Sequence, residues 1–242
     1  MKPWPIAVFI ALAGLVSLSC GTVNVDLHTT VETSGDVVQE VKLVSEGLIA
    51  AALKGAMPST EKLRKEGWQV ESKSAANSFE QTWKRRFKRD ETLDMVIFPD
   101  DASAAGATGQ PKVTYYLRDS VFLKEYEFRV DIPPSPDMTK ELQGLDLPQQ
   151  QAAKALVESL FSLSWTITVP GEIVSTNADR REKNSATWDL TVSSLEKGRQ
   201  LNLKARYINW PLIAGASLVL VAIGAFLALR LLRRKKVEVH QA

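Results

Sequence analysis

The sequence predicts an α+β fold, a mainly antiparallel β-sheet packed with two to three helices. An N-terminal signal peptide precedes it and one C-terminal transmembrane helix follows. Three observations predict this. Long segments alternate apolar and polar residues with a period of two, as half-buried strands do. A few stretches between them carry apolar residues spaced three and four apart, the mark of an amphipathic helix. Two uncharged apolar runs bracket residues 20–209, whose composition is that of an ordinary soluble domain.

The N-terminal run has the parts of an export signal. Lys2 supplies positive charge, Ile6 to Leu18 is apolar, and the small residues Ser17 and Ser19 follow. Thirteen helical residues rise only about 20 Å, too short for a hydrocarbon core of about 30 Å. Residues 1–19 therefore read as a cleaved signal. Cys20, the one cysteine of the chain, follows directly and precedes Gly21. Val16-Ser17-Leu18-Ser19-Cys20 is similar to a lipobox, with Leu18 one place nearer the cysteine than the usual pattern has it. Cys20 is the expected lipid-attachment residue, carrying palmitate-type acyl chains. An exported cysteine with no disulfide partner fits that role.

Within residues 20–209 the elements follow in order. Residues 22–44 read as a β-hairpin around the turn Ser34-Gly35-Asp36. Ser45 to Ala56 is helical, with Leu48, Ile49, Ala52 and Leu53 on one face, and a short helix spans Thr60 to Glu66, stopped by Gly67. Trp68 to Lys73 and Ser78 to Arg89 form a second hairpin. Glu91 to Phe98 is ambiguous between helix and strand, and Asp100 to Pro111 is a loop rich in Ala and Gly. Lys112 to Asp119 and Val121 to Ile132 are strands, the latter with Phe122, Tyr126, Phe128, Val130 and Ile132 along one side. After a Pro-rich loop, Ala153, Leu156, Val157, Leu160 and Phe161 make an apolar helical face over 149–161. Trp165 to Val169, Glu172 to Ser175, Ala186 to Val192 and Leu201 to Ile208 are the closing strands.

Leu212 to Leu229 is eighteen residues without a charge, about 27 Å as a helix and long enough to cross a bilayer core. Trp210 stands where an interfacial aromatic belongs, and Arg233, Arg234, Lys235 and Lys236 follow. The positive-inside rule keeps this cluster in the cytoplasm. The predicted organisation is thus a signal at 1–19, an extracytoplasmic domain at 20–209, a transmembrane helix at 210–232 and a basic cytoplasmic tail at 233–242. Both ends of the domain are expected at one outer membrane face, in a bacterial cell membrane.

The formal net charge is +2, with much of the positive excess in the tail. A nucleic-acid partner would leave a basic stripe across the folded domain, and none is expected. The chain contains no HExxH, CxxC, GxSxG or P-loop spacing, so no catalytic residue, metal ligand or cofactor is assigned. Asp100-Asp101 reads as a solvated turn. One local feature stands out, Lys84-Arg85-Arg86-Phe87-Lys88-Arg89 with Trp83 before it. On a strand Arg85 and Arg89 join Trp83 and Phe87 on one face, while Lys84, Arg86 and Lys88 point the other way. Two readings fit: a cationic rim beside an aromatic surface for an anionic amphiphile, or a solvated strand face that blunts edge pairing. Tyr126 and Phe128, like Tyr115 and Tyr116, are either core or the lining of an apolar cavity. The candidate ligand-binding set is therefore Trp83, Arg85, Phe87, Arg89, Tyr126 and Phe128.

Layout and short signatures together resemble the LppM-like family of bacterial envelope lipoproteins. The resemblance is carried by Cys20 leading into the Val23–Val44 hairpin, by Gly67-Trp68, and by Pro170-Gly171-Glu172-Ile173-Val174 through Asn177-Ala178 to Thr187-Trp188-Asp189-Leu190. Trp210-Pro211 at the start of the membrane helix completes it. It implies an exported α+β envelope protein with binding of envelope lipids or glycolipids, and it implies no catalytic residues. The expected function is that of a non-enzymatic, membrane-anchored envelope protein binding an amphiphile such as a phospholipid or glycolipid. The alternative is a membrane-tethered adaptor for an envelope protein partner. Membrane lipids are the expected partners in the first case.

Overall fold

The computed structural model describes residues 21–47, 50, 60–89, 91, 93, 111–134 and 146–238. Cys20 and the expected export signal, the expected loops over 100–110 and 135–145, and the expected helix at 45–56 apart from residues 45–47 and 50 lie outside them, as does Glu91 to Phe98 apart from residues 91 and 93; Ser45 and Glu46 end a strand instead.

Eleven strands and four helices are described, and they form an α+β fold with mainly antiparallel sheets. The strands are β1 (Val23–Val31), β2 (Val37–Glu46), β3 (Gln69–Ala75), β4 (Ser78–Phe87), β5 (Lys112–Asp119), β6 (Leu123–Ile132), β7 (Phe161–Thr168), β8 (Glu172–Thr176), β9 (Arg180–Arg181), β10 (Ser185–Asp189) and β11 (Arg199–Ile208). The helices are α1 (Thr60–Lys65), α2 (Leu147–Leu160), α3 (Val192–Lys197) and α4 (Trp210–Glu238). A seven-stranded sheet has the order β3-β4-β2-β1-β7-β10-β9, and a four-stranded sheet the order β5-β6-β11-β8. Every pairing is antiparallel except that of β1 with β7.

The period of two in the sequence becomes the two faces of each sheet. On β1 and β2 the odd-numbered residues, Val23 to Val31 and Val37 to Ser45, are buried and the even ones are not. On β6 the inward row is Tyr126, Phe128, Val130 and Ile132, facing Leu201, Leu203 and Ala205 of β11 across the ladder. These rows and those of the larger sheet belong to one hydrophobic core between the sheets. Tyr115 stacks on Phe128 with centroids 4.6 Å apart, and Trp68 meets Phe87 edge-on at 6.2 Å.

Four details depart from the sequence-based expectation. Phe122 is not in β6 but in the β5–β6 turn, where it is exposed. Val192, expected at the end of a strand, instead opens α3, because the Thr191 hydroxyl accepts the Ser194 N–H at 3.2 Å and caps a turn of helix. α2 covers the expected helix except for Phe161, which begins β7; it is opened by Asp146 and Pro148, and Leu156 and Val157 on its apolar face stay exposed. A helix docked at the rim of a sandwich buries only part of its stripe, and α2 is held to α3 by polar contacts, Lys154–Glu196 at 2.9 Å and Ser193 to Glu158 at 3.1 Å.

The fourth concerns the ends. β11 runs from Arg199 to Ile208 and passes into α4 through Asn209, so α4 leaves the sandwich at the Ile208 end. β1 runs in the same sense, because the turn after it meets that end: Lys124 donates to the Thr33 carbonyl at 2.8 Å and the Tyr115 hydroxyl donates to the Gly35 carbonyl at 3.3 Å. Val23, paired with Phe161, is therefore at the opposite end, nine strand residues or about 30 Å away. The two ends of the described domain therefore lie far apart, and both can reach one membrane face only if the long axis of the sandwich runs along it.

Candidate functional site

The basic run occupies β4 and the residues just after it, at the α4 end of the larger sheet. Its register is the expected one: Trp83 and Phe87 are buried, Arg85 is half-buried, and Lys84 and Arg86 are exposed. The run is not a free cationic surface. Pairing of Val37 with Phe87 brings the β1–β2 turn beside the end of β4, and Arg86 bonds Glu32 and lies 3.3 Å from Asp36. Lys84 lies 3.3 Å from Glu40, and Arg89 donates to Asp119 at 2.9 Å.

Arg85 sits over the Phe87 ring at 4.5 Å and donates to Glu91 at 2.6 Å. Glu91 also accepts the Lys88 N–H at 3.1 Å. That backbone hydrogen bond and the Arg85 guanidinium hold its carboxyl below the usual carboxylate range. Among the candidate ligand contacts, the two arginines thus lie at the rim with acid partners.

The four aromatic candidates are core. Trp83, Phe87, Tyr126 and Phe128 are all buried, the first two on the larger sheet and the last two on the smaller. The space that Phe128 shares with Thr29, Gln39 and Trp165 between the sheets is about 10 Å³, room for one water molecule at most and far below the size of a ligand site. Burial pushes the Tyr126 hydroxyl up to about 12, and that hydroxyl has no hydrogen-bond partner.

The roomy concavity lies on the other side of the smaller sheet. Its outer face curls into an open groove of about 750 Å³, a volume within the range of ligand sites. β5 contributes Tyr116 and Arg118, β6 contributes Glu125 and Glu127, β11 contributes Lys204 and Arg206, and β8 contributes Val174. Period-two alternation puts these residues outward, directly behind the buried row. Glu125 lies between Arg206 at 3.2 Å and Arg118 at 3.7 Å, and Glu127 meets Lys204 at 3.1 Å. Three cations therefore face two carboxylates, flanked by the exposed side chains of Tyr116 and Val174. Each pair is solvent-exposed and worth only about 0–1 kcal/mol, so an anionic group can take the cations from their partners at small cost.

The sequence signalled these residues only as polar members of strands. The groove exists because β8 packs beside β11, a pairing no single strand encodes. Among the described residues no group of three or more His, Cys, Asp or Glu side chains is placed to hold a metal ion.

α4 leaves the domain at the same end as β11. Its first eighteen residues, Trp210–Leu227, are long and apolar enough to cross a membrane and none is buried against the domain. The helix continues through Arg233 to Lys236 as far as Glu238.

No family model matches the chain, and no curated protein matches it. Among solved structures, the folded domain of LppM from Mycobacterium tuberculosis, determined by NMR, is similar to it at 16% identity. The TM-score is 0.42, over 79% of this chain and 94% of that one. A likeness at that level establishes neither a shared family nor a shared role.

Proposed function

We propose that the protein is a non-enzymatic cell-envelope protein, held in a bacterial membrane by α4, whose extracytoplasmic domain binds an amphiphile in the groove of the smaller sheet. The observation that carries this reading is the groove itself, about 750 Å³, lined by exchangeable cations beside exposed apolar side chains. An anionic phosphate or carboxylate headgroup would meet Arg118, Lys204 or Arg206, since guanidinium groups fork onto such oxygens. Apolar parts of the ligand would lie on Tyr116 and Val174. Tyr126 and Phe128 back the groove from the inner face of β6, Trp83 and Phe87 belong to the core of the larger sheet, and Arg85 and Arg89 brace the α4 end.

Cys20 is proposed as an acyl site in addition. Val23 is at the end remote from α4, so anchoring through both Cys20 and α4 would lay the long axis of the sandwich along the bilayer.

The test is the lipid content of the full chain purified from membranes. One lipid class should be enriched over the bulk membrane, and the double variant Arg118→Glu with Arg206→Glu should lose that enrichment. Lipid of bulk composition in both proteins would refute the reading. Acylation is tested separately: labelling by a palmitate analogue should vanish in Cys20→Ala.

A second reading, a membrane-tethered adaptor, is favoured by the filled core between the sheets. On that reading Tyr116 and Val174 meet an envelope protein. Crosslinking from position 116 in cells to one stoichiometric protein, without co-purified lipid, would select it.

A further inference from the structure

The tip of the β5–β6 hairpin is made of residues that a turn in water does not favour. Ser120 closes it. Its N–H donates to the Leu123 carbonyl at 2.9 Å, its hydroxyl donates to the same carbonyl at 2.6 Å, and the Leu123 N–H returns to Ser120 Oγ at 3.2 Å. Val121 and Phe122 are left outermost, 68% and 46% exposed. Turn positions are usually Gly, Asn, Asp, Ser or Pro, each of which eases the backbone through the bend. Val and Phe do neither this nor solvate well, and their exposed area is unfavourable in water in proportion to its size.

This tip is pinned to α4. The Asn209 N–H donates to the Phe122 carbonyl at 3.0 Å, and the Ile213 N–H donates to the Asn209 carbonyl at 3.2 Å. The hairpin tip is thus joined by a backbone hydrogen bond to the residue from which α4 starts. Ile208, Trp210 and Leu212 are exposed around the junction. Arg118 on β5 is largely exposed, and Lys124 on β6 bonds Thr33 and lies 3.5 Å from Asp119. Apolar residues flanked by long basic side chains, next to a helix of membrane length, match the layout of groups that settle at a membrane interface.

We propose that the Val121–Phe122 tip is a second membrane contact, entering the boundary between headgroups and acyl chains of the bilayer that α4 crosses. The proposal rests on α4 being a membrane span, and it adds a consequence. With two neighbouring points of contact, joined by the Asn209 to Phe122 hydrogen bond, the domain has a preferred orientation, and its groove is held at a set height above the outer leaflet.

The full chain in a Cys20→Ser background offers unique labelling sites. An environment-sensitive fluorophore is placed in turn at Val121→Cys, Phe122→Cys, Lys197→Cys and Leu220→Cys, with the protein in vesicles of phosphatidylcholine and phosphatidylglycerol. Lys197 ends α3 at the remote end of the sandwich and is exposed; Leu220 lies within the apolar part of α4. Labels at 121 and 122 should show blue-shifted emission and quenching by lipids spin-labelled near the headgroup. The label at 197 should show neither, and the label at 220 should be quenched by lipids labelled deep in the chain.

If 121 and 122 behave like 197 while 220 is quenched, the tip is in water and the proposal falls, with the span intact. If 220 is not quenched, the span itself fails and the proposal with it. A blue shift at 121 and 122 without lipid quenching would mean a protein contact, which also overturns it. Two labels at the tip guard against one substitution disturbing the turn.

Discussion

The indole N–H of Trp165 donates to the hydroxyl of Thr29 at 3.1 Å, and both side chains are buried. The pair sits on β7 and β1, the one parallel pairing among the described strands, and it ties the two strands by a polar contact on the inward face. Its neighbours on the outer face repeat the pairing in polar form, Ser162 to Asn24 at 2.6 Å and Ser164 to Asp26 at 2.7 Å. The parallel ladder is therefore bonded through its side chains on both faces.

Thr29→Val keeps the shape of the side chain and removes the acceptor. It leaves the Trp165 N–H buried without a partner, which costs about 1–3 kcal/mol. Thermal unfolding of the detergent-solubilised chain, followed by tryptophan fluorescence, should show a lowered midpoint. An unchanged midpoint would mean that the hydrogen bond contributes nothing.

Gly171 holds φ +108°, and a Cβ there would meet the Arg206 carbonyl oxygen at 2.3 Å and Tyr207 Cα at 2.9 Å. Backbone, unlike a flexible side chain, cannot turn aside. Gly171→Ala should destabilise the domain by at least about 2 kcal/mol through strain and displacement of β11. Equilibrium unfolding in urea measures it, and a loss below half that amount would contradict the close approach.

Tyr126→Phe should stabilise the protein by up to about 1 kcal/mol, since it removes a buried hydroxyl that no group satisfies. The variant should also change the alkaline limb. Burial raises the folded-state value to about 12 from about 10 in the unfolded chain. The unfolded state therefore releases this proton first, and stability present below pH 10 is lost as pH rises toward 12. In Tyr126→Phe that limb should be shallower, though not flat, because burial raises Tyr115 as well. An identical alkaline limb would refute the assignment.

Asp179 accepts the Arg199 guanidinium at 2.8 and 2.9 Å and the Asp189 N–H at 2.9 Å. These contacts, Arg199 foremost, hold its carboxyl below the usual range. Their contribution is present above the unfolded carboxylate value of about 3.9 and is lost as pH falls below it. The pair is partly exposed, so Asp179→Asn should cost under about 1 kcal/mol at neutral pH. Its main signature is a flatter loss of stability between roughly pH 4 and 2, read by unfolding at a series of pH values.

Much of the secondary structure was legible because its signals are local. The Val23–Val31 and Val37–Ser45 rows alternate within a window of ten residues, and the resulting faces appear as expected. The β4 register was legible for the same reason, down to Arg85 lying with Trp83 and Phe87. α3 is not legible because a six-residue helix carries little periodicity, although Thr191 before it and Gly198 after it are start and stop chemistry. Phe122 was misplaced because aromatic residues favour strands, and nothing local distinguishes a strand end from a turn tip.

The candidate site was less legible. Aromatic residues beside arginines fit a binding face and a packed core equally well until the opposing sheet is in place. Here Tyr126 and Phe128 supply that opposing surface, and the acids that engage Arg86 and Arg89 arrive from Glu32, Asp36 and Asp119, far away in the chain.

Alternation, capping residues and an uncharged run of eighteen residues were enough, read alone, to assign the strand faces, the α+β class and a helix of membrane length, because each depends on neighbours within a turn or two. Tertiary structure decided which strands meet. β7 lies beside β1 although the two are 138 residues apart, and β8 lies beside β11. Those choices are made by burial of whole sheet faces against each other, a property of the assembled core. They put Val23 and α4 at opposite ends, close the space around the aromatic residues, and open the groove on the outer face.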